Sequence, residues 1–281
     1  MRRSYNTTAV LAVVTSLVVC ESVLAHSEHN EEPVWEYTVG AGFLHVPNYL
    51  GDDASQVILA PSIKATDGAH WSIGFIEGVQ YTFNPEQSWQ WGLAVAPFLG
   101  RDTDGSNPLR VAGKNTDDLI GLGKTDTAVT LRAFTQTKVG AWSFNARLQQ
   151  TYTNDVQTRA SVGVRRSAVV STKGPPLITS IGVRLRLGDQ ATMESLVGVT
   201  AEQSAISGLD SYRPDSGIVA VGLNGVVILP LSRSLSVLST FSVEHLGDEL
   251  TDSSLVDTRG NELQTSVGLF ISYKLGQKQS R

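Results

Sequence analysis

The histidines and serines of this sequence are the residues most able to do chemistry. The five histidines are His26, His29, His45, His70 and His245. In a serine hydrolase, a histidine within hydrogen-bonding distance takes the proton of the serine nucleophile. Serines are numerous here, but the sequence contains no nucleophile-elbow motif. We expect no catalytic residues, although a serine–histidine pair is not ruled out by the sequence.

Two acidic segments have residue types that bind cations. The segment HSEHNEE at 26–32 combines imidazole and carboxylate groups but is better explained as a solvated polar tail. The segment 101–126 holds five aspartates: Asp102, Asp104, Asp117, Asp118 and Asp126. Gly105 comes too early for the sixth position of a calcium-binding EF-hand loop. We expect no metal and no cofactor.

The segment 101–126 is better explained as a solvated loop. Four basic residues in it could contact phosphate groups: Arg101, Arg110, Lys114 and Lys124.

Alternation with a period of two residues predicts that β-strands position these groups. At 71–83, apolar Trp71, Ile73 and Phe75 alternate with small or polar residues, and Glu77 is the exception. The sequence predicts about twelve strands, near residues 35–43, 56–64, 71–83, 89–95, 126–137, 142–148, 157–168, 177–187, 191–200, 215–229, 234–244 and 267–273. Helical periodicity is nearly absent.

Strand length and aromatic placement favour a transmembrane barrel over a soluble β-sandwich. The segments have about 9 to 13 residues, whereas soluble strands usually have about 5 or 6. Aromatic residues lie near strand ends on the apolar side, as in the girdles at both membrane interfaces. These residues are Trp35, Tyr37, Trp71, Tyr81, Phe83, Trp89, Trp91, Trp142 and Tyr273. We predict an all-β, transmembrane antiparallel β-barrel of about twelve strands.

In the segment PPLITSIGVRLRLGDQ at 175–190, arginines alternate with leucines, so the two residue types lie on opposite faces of the predicted strand. An arginine facing lipid near the bilayer centre costs about 2–4 kcal/mol, and a whole domain has a net stability of only about 5–15 kcal/mol. Arg184 and Arg186 are therefore expected to face the barrel lumen. Their candidate partners are Glu36, Glu77, Glu194 and Glu244.

The N-terminus has the pattern of a cleaved secretory signal peptide. Arg2 and Arg3 precede an apolar run that ends in Val-Leu-Ala at 23–25. A lipoprotein signal ending at Cys20 is the alternative. We predict a signal peptide at 1–25, a polar tail at 26–33, the barrel at 34–275 and a short basic tail at 276–281.

Charge and cysteine content limit the partners of the mature chain. The full chain has a net charge of -5; removing two arginines and Glu21 makes it -6. This acidic balance argues against nucleic acid as a partner. Cys20 is the only cysteine and leaves with the signal peptide, so no disulfide framework is expected.

The side of the membrane that the long loop occupies depends on the strand count. In the count above, the loop at 101–126 follows the fourth strand. With both termini in the periplasm, this count places the loop there too, against the rule that long loops are extracellular. Either a strand is miscounted, such as a hidden one near 108–122, or the loop is a periplasmic platform.

Three segments of the chain resemble the MipA/OmpV family, outer-membrane proteins named for the MltA-interacting protein. They are LHVPNYLGDD at 44–53, FLGRDTDG at 98–105 and GVTAEQSAISGLDSYRPDSGI at 198–218, and EHLGDELTDSSLV at 244–256 adds support. The similarity covers nearly the whole mature chain. Asp52 stands where a serine is common in the family, and Leu255 where a proline is common. The chain also lacks a terminal aromatic residue, a role that Tyr273 and Leu275 could fill.

The resemblance implies a non-enzymatic barrel in the cell outer membrane, in contact with lipid and lipopolysaccharide. It implies a scaffold that docks a lytic murein transglycosylase and a bifunctional murein synthase. A narrow channel or transporter involved in osmotic or antibiotic responses is the alternative, because a twelve-stranded barrel is narrower than the porins. A lipid hydrolase is a third, less favoured hypothesis. No partner-binding residues are predicted.

Overall fold

A computed structural model describes residues 35–101, 103, 109–113, 116–171 and 174–275 of the chain. The predicted signal peptide and the two predicted tails at 26–33 and 276–281 lie outside these residues. So do His26, His29, Asp102, Asp104 and Lys114.

The described residues form thirteen strands and four short helices. The strands are β1 (Glu36–Pro47), β2 (Ser55–Thr66), β3 (Trp71–Gly74), β4 (Gly78–Phe83), β5 (Trp89–Phe98), β6 (Arg110–Gly113), β7 (Ala128–Val139), β8 (Trp142–Tyr152), β9 (Val156–Val170), β10 (Leu177–Gly188), β11 (Gly217–Pro230), β12 (Leu235–Leu246) and β13 (Leu263–Leu275). The helices are α1 (Gln190–Val197), α2 (Ala201–Ser207), α3 (Asp248–Thr251) and α4 (Ser254–Arg259). None of the described helices is long and apolar enough to cross a membrane.

Twelve of these strands close into an antiparallel barrel. Apart from β6, neighbours in the chain pair with one another, and β1 also pairs with β13. The closing register runs from Tyr37 opposite Leu275 to His45 opposite Val267. The prediction of an all-β barrel with about twelve strands is confirmed.

Side chains alternate between the outer wall and the lumen along each long strand. On β13, Val267, Leu269 and Ile271 are exposed on the outer wall, while Ser266 and Gln264 are buried inside. A water-soluble protein has the reverse arrangement, with apolar side chains in the core. An apolar outer wall around a polar interior is the arrangement of a membrane barrel.

The two ends of the barrel differ. The turn end holds both ends of the barrel sequence and five connections of two to six residues: 67–70, 84–88, 140–141, 171–176 and 231–234. The cap end holds the other connections: 48–54, 75–77, 99–127, 153–155, 189–216 and 247–262. All four described helices are in the last two of these.

The predicted single strand at 71–83 is wrong. This segment is a hairpin of β3 and β4 that turns at 75–77. Gly78 closes the turn with a φ of 73°, a conformation that glycine adopts without steric cost. Glu77, the exception in the alternation, marks the turn.

The hairpin settles the position of the long loop. Because 71–83 supplies two strands, the loop at 99–127 follows the fifth barrel strand and lies at the cap end, opposite the termini. Of the two alternatives that the sequence left open, a strand miscount or a platform on the side of the termini, the strand miscount is correct. The loop also contains a short hidden strand, β6, which pairs with β2 beside the shortened β3.

The predicted strand at 191–200 is also wrong, because most of it is helix α1. Asp189 caps this helix by accepting a hydrogen bond from the Thr192 amide at 2.8 Å, a common N-terminal signal. The predicted strand count loses one strand at 191–200 and gains one at 71–83, so the barrel still has the predicted twelve strands.

The nine predicted girdle aromatics all lie at the turn end. Trp71 and Tyr81 meet edge to face with ring centroids 4.8 Å apart, and Phe83 stacks on Trp91 at 3.8 Å. The expectation that these residues mark both membrane interfaces is wrong. An aromatic residue near a strand end indicates an interface, but strand polarity decides which one.

Two apolar clusters join the loops of the cap end into one body, here called the cap (48–54, 99–127, 189–216 and 247–262). The first is centred on Met193 and Leu250, and α1 packs against β9, β10 and β11. The second joins Leu119 of the long loop to Leu209 and Leu255. Leu255, the departure from the family pattern, is therefore part of the packed cap.

A third apolar cluster lies inside the barrel near the cap. Leu44 and Ile58 are fully buried there against Phe270, with Ile76 and Leu109 at its edge. These residues occupy part of the lumen beside β1 and β2. The charged groups of the lumen lie mainly on the other wall.

We predict that Leu255→Ala loosens the cap and leaves the barrel closed. Leu255 is fully buried, and a Leu→Ala change at such a site costs about 2–5 kcal/mol. Hydrogen exchange should accelerate at 189–216 and 247–262 but not in the strands. Leu231→Ala, in an exposed turn at the other end, is the control. Unchanged protection in the cap would contradict this assignment.

Candidate functional site

Arg184 and Arg186 share one carboxylate inside the barrel. The Arg184 Nη2 atom lies 2.5 Å from Glu244 Oε1, and the Arg186 Nη2 atom lies 2.7 Å from Glu244 Oε2. All three side chains are largely buried, with Glu244 9% exposed. The prediction that both arginines face the lumen is confirmed, and Glu244 is the partner.

A glycine makes this contact sterically feasible. Gly222 on β11 lies directly between Arg184 on β10 and Glu244 on β12. A Cβ atom at position 222 would come within 2.8 Å of Glu244 Cγ. The missing side chain lets the ion pair form across the strand. Gly182 has the same place between Arg165 and Asn224, whose side chains are hydrogen-bonded at 3.2 Å.

The other candidate acids have different partners or places. Glu36 pairs with Lys274 at the turn end, with 2.6 Å between Oε1 and Nζ. Glu194 pairs with Arg213 in the cap at 2.9 Å. Glu77 lies in the turn between β3 and β4.

The inward positions of the described strands carry a large excess of positive charge. The basic residues are Lys64, Arg132, Lys138, Arg147, Arg159, Arg165, Arg184, Arg186 and Lys274. The acidic residues of the described strands are Glu36 and Glu244. The whole chain has a net charge of -5, so the basic lumen reflects a segregation of charge. The arginines lie on adjacent strands, from β7 to β10, and form one basic wall.

Hydrogen bonds connect the loops of the cap. The Arg259 guanidinium donates to the Asp118 carbonyl oxygen at 2.7 Å and to the Ser207 carbonyl oxygen at 2.8 Å. Arg101 donates to the Leu196 carbonyl oxygen at 3.2 Å. Arg259 of the 247–262 loop thus holds backbone carbonyls of two other loops, 99–127 and 189–216. The cap is rigidly joined, and its segments coincide with those that carry the family resemblance.

Asp52 is a buried carboxyl at the base of the cap. It is 3% exposed and accepts hydrogen bonds from the Ala54 amide at 2.8 Å and from Asn48 at 3.0 Å. Burial is the largest influence on this group, and it raises the pKa of Asp52 to about 6. Burial also raises the pKa of the neighbouring Tyr49, which donates towards Asp118 at 3.4 Å.

One histidine does lie next to a serine. Ser55 Oγ is 2.8 Å from His45 Nε2, near the cap end of the outer wall. Among the described residues, no carboxylate is hydrogen-bonded to the other ring nitrogen of His45. His245 contacts Glu262 at 3.2 Å, and His70 stacks on Tyr81. The sequence did not show which histidine lies next to a serine. The register of β1 and β2 brings His45 and Ser55 together.

Two aspartates of the long loop, Asp118 and Asp126, have local partners. Asp118 accepts a hydrogen bond from Thr116 at 2.8 Å, and Asp126 pairs with Lys124 at 3.0 Å. The described part of the chain contains no group of three or more histidine, cysteine or acidic residues arranged to hold a metal ion.

Sequence reasoning identified two of the six arginines of the basic wall. Arg132, Arg147, Arg159 and Arg165 are on the same parity as the small residues of their strands, so alternation alone could have found them. The order in which they line one wall depends on strand pairing. The contacts of the cap depend on tertiary packing and have no comparable signal in the sequence.

A closed barrel with an apolar outer wall and a charged interior defines an integral β-barrel of the outer membrane. The chain belongs to the MipA family, described as MltA-interacting protein MipA, whose model matches residues 39–275. The match spans all twelve barrel strands and the cap. The predicted family and location are confirmed.

Two solved structures are similar to this chain at low sequence identity. An outer membrane channel from Pseudomonas putida F1 is 10% identical, with a TM-score of 0.45 over 89% of this chain and 100% of that chain. The beta domain of the Bordetella autotransporter BrkA is 11% identical, with a TM-score of 0.39 over 86% of this chain and 99% of that chain. No curated protein sequence matches this chain significantly.

We predict that Glu244→Gln destabilises the barrel by about 3 kcal/mol, because it leaves two buried cations without their counter-charge. Urea unfolding in lipid vesicles measures the change. Glu262→Gln is the control, since its ion pair with His245 is exposed and worth less than about 1 kcal/mol. Equal effects of the two substitutions would contradict the role of Glu244.

We also predict that Asp52 contributes more to the stability of the cap at pH 4 than at pH 7. Its Asp52 pKa, about 6, is above the usual value, so the folded cap binds more protons than the open cap between about pH 4 and 6. Stability is therefore present at low pH and lost as pH rises through 6. Protease cleavage of the cap should be slower at low pH, and Asp52→Ser should remove this difference. Asp53→Ser, at an exposed neighbour, should retain it.

Proposed function

We propose that this protein is a non-enzymatic docking protein of the outer membrane that holds murein-cleaving and murein-synthesising enzymes at its periplasmic end. The observation that carries this proposal is the family match, which spans the whole barrel. The family is described by its interaction with MltA, and the proposed partners are a lytic murein transglycosylase and a bifunctional murein synthase.

The asymmetry of the barrel supports a periplasmic orientation of the turn end. Outer-membrane barrels have short periplasmic turns and longer extracellular loops. The turn end has connections of two to six residues and both ends of the barrel sequence. Murein enzymes act in the periplasm, so the docking surface is the rim of this end. Exposed charges on the rim include Glu86 and Arg233.

The tightly packed cap favours a docking role for the protein over the role of an open pore through which solutes diffuse. Its loops pack through two apolar clusters and are joined by Arg259 and Arg101. The third apolar cluster occupies part of the lumen below it. The Ser55–His45 pair has no orienting carboxylate among the described residues, which is why we propose no hydrolase. Lipid hydrolysis that is lost in Ser55→Ala would contradict the non-enzymatic role.

We predict that charge reversal at the rim weakens capture of the transglycosylase. The purified, detergent-solubilised protein should retain this enzyme from a membrane extract, and the double substitution Glu86→Lys with Arg233→Glu should reduce the retained amount several-fold. Arg213→Glu is the matched control, because Arg213 is equally exposed but lies in the cap. Failure of the wild-type protein to retain either murein enzyme would overturn the proposal, as would loss of capture only in the cap variant.

A narrow channel is the second candidate function. The charged and polar lining of the lumen favours it, because a docking role does not require six arginines on one wall. Conductance across planar bilayers separates the two: steady ion flux through the wild-type barrel supports a channel, and an electrically silent barrel supports docking alone.

A further inference from the structure

Arg132 is a buried cation without a hydrogen bond to any residue that the structure describes. It lies on β7 and is 6% exposed, and its Nε atom has no partner. Burying a charge without a partner is strongly unfavourable. Glu244 neutralises Arg184 and Arg186 on the same wall, but it does not contact Arg132. The buried Nε–H of Arg132 therefore has no acceptor among the described residues.

The neighbours of Arg132 form a small polar pocket. Gln149 on β8 lies opposite Arg132, and Arg159 on β9 lies opposite Gln149. All three, together with Thr130, line one cavity of about 30 Å³. A site for one water needs about 10–15 Å³, so this cavity is larger than a single water site. Phe98 and other apolar side chains close it on the cap side.

Arg159 is held in place for a ligand on its free side. Its Nη2 atom donates to Gln157 Oε1 at 2.9 Å, and its guanidinium lies 5.7 Å from the centre of the Phe98 ring. Its Nε atom is buried without a hydrogen-bond partner. The nearby Asp189 carboxylate is occupied by the amides of Thr158 and Thr192.

The charge balance around this cavity is positive. Glu77 is the carboxylate that interacts electrostatically with Arg132. Asp189 interacts with Arg159 but is already hydrogen-bonded to the helix N-terminus. A planar guanidinium presents paired N–H groups that match the oxygens of phosphate or carboxylate. Two such groups and one amide around a small cavity select a compact anion with several oxygens.

We propose that Arg132, Gln149 and Arg159 bind a small oxyanion of the phosphate class inside the barrel. The site is independent of the docking role, because it lies in the lumen and not on the rim. The basic residues Arg165, Lys64 and Lys138 lie between this site and the turn end, so the anion enters from that side, along a path of positive charge.

The source of the anion is the lumen. The apolar groove of about 480 Å³ that Tyr81, Leu93 and Leu148 line lies on the outer wall. The hydrogen-bonded strands β7 and β8 separate it from the inward guanidinium of Arg132, so a lipid head group in that groove is not the expected ligand.

Calorimetric titration of the full barrel in a non-ionic detergent tests the site with two probes: inorganic phosphate and a short-chain phosphatidic acid. We expect saturable binding of inorganic phosphate to the wild-type protein, and no saturable binding of the phosphatidic acid at this site. Arg132→Gln and Arg159→Gln should each weaken it at least tenfold. Arg166→Gln is the matched control, because Arg166 is on β9 like Arg159 but lies on the outer wall beside Trp142. The Arg166→Gln variant should bind the probe with the affinity of the wild-type protein.

Each outcome bears on the proposal. Saturable binding of phosphate that both arginine substitutions weaken supports the site. If Arg132→Gln fails to fold, Arg159→Gln, at a less buried position, decides the matter. The absence of saturable phosphate binding to the folded wild-type barrel would overturn the site, as would binding of the lipid alone or equal affinities of Arg159→Gln and Arg166→Gln for phosphate.

Discussion

The burial of positive charge inside a closed barrel is the constraint on which the rest of this structure depends. An arginine near the bilayer centre cannot face the acyl chains without a cost of about 2–4 kcal/mol, so the strands keep their charged sides inward there. Arg166 is on the outer wall, but it lies near the turn end beside Trp142. Inside, Glu244 neutralises Arg184 and Arg186 across Gly222. The glycine, the carboxylate and the two arginines lie on three adjacent strands, so this interaction also fixes their register.

The two ends of the molecule are built differently. At one end, the cap is a self-packed body that carries the segments resembling the family and a buried carboxyl, Asp52, with a raised pKa. At the other end, short turns surround a mouth lined by Lys64, Lys138 and the ion pair of Glu36 with Lys274. The basic wall connects the regions. A docking role uses the rim of the turn end, whereas an anion site uses the lumen, and the two can coexist.

Much of the barrel was predictable because alternation in a strand has a direct physical cause. Arg184 and Arg186 had to face inward, and they do, yet nothing in the sequence selects Glu244 over Glu36, since that choice requires the strand order. The hairpin at 71–83 was missed because Glu77 looked like one exception in a long strand. Helix α1 was missed because Asp189 acts through a hydrogen bond to Thr192, which alternation does not reveal. The pairing of His45 with Ser55 depends on the register of two strands.

Labelling of single cysteines along β10 tests the central claim most directly. The only natural cysteine, Cys20, lies within the predicted signal peptide, so a cysteine at 183, 184, 185 or 186 is the sole thiol of the processed chain. We predict that fluorophores at 183 and 185 are quenched by brominated lipid, while those at 184 and 186 are quenched only by aqueous agents. Quenching by lipid at 184 and 186, or a pattern without alternation, would contradict a barrel that keeps its charges inside.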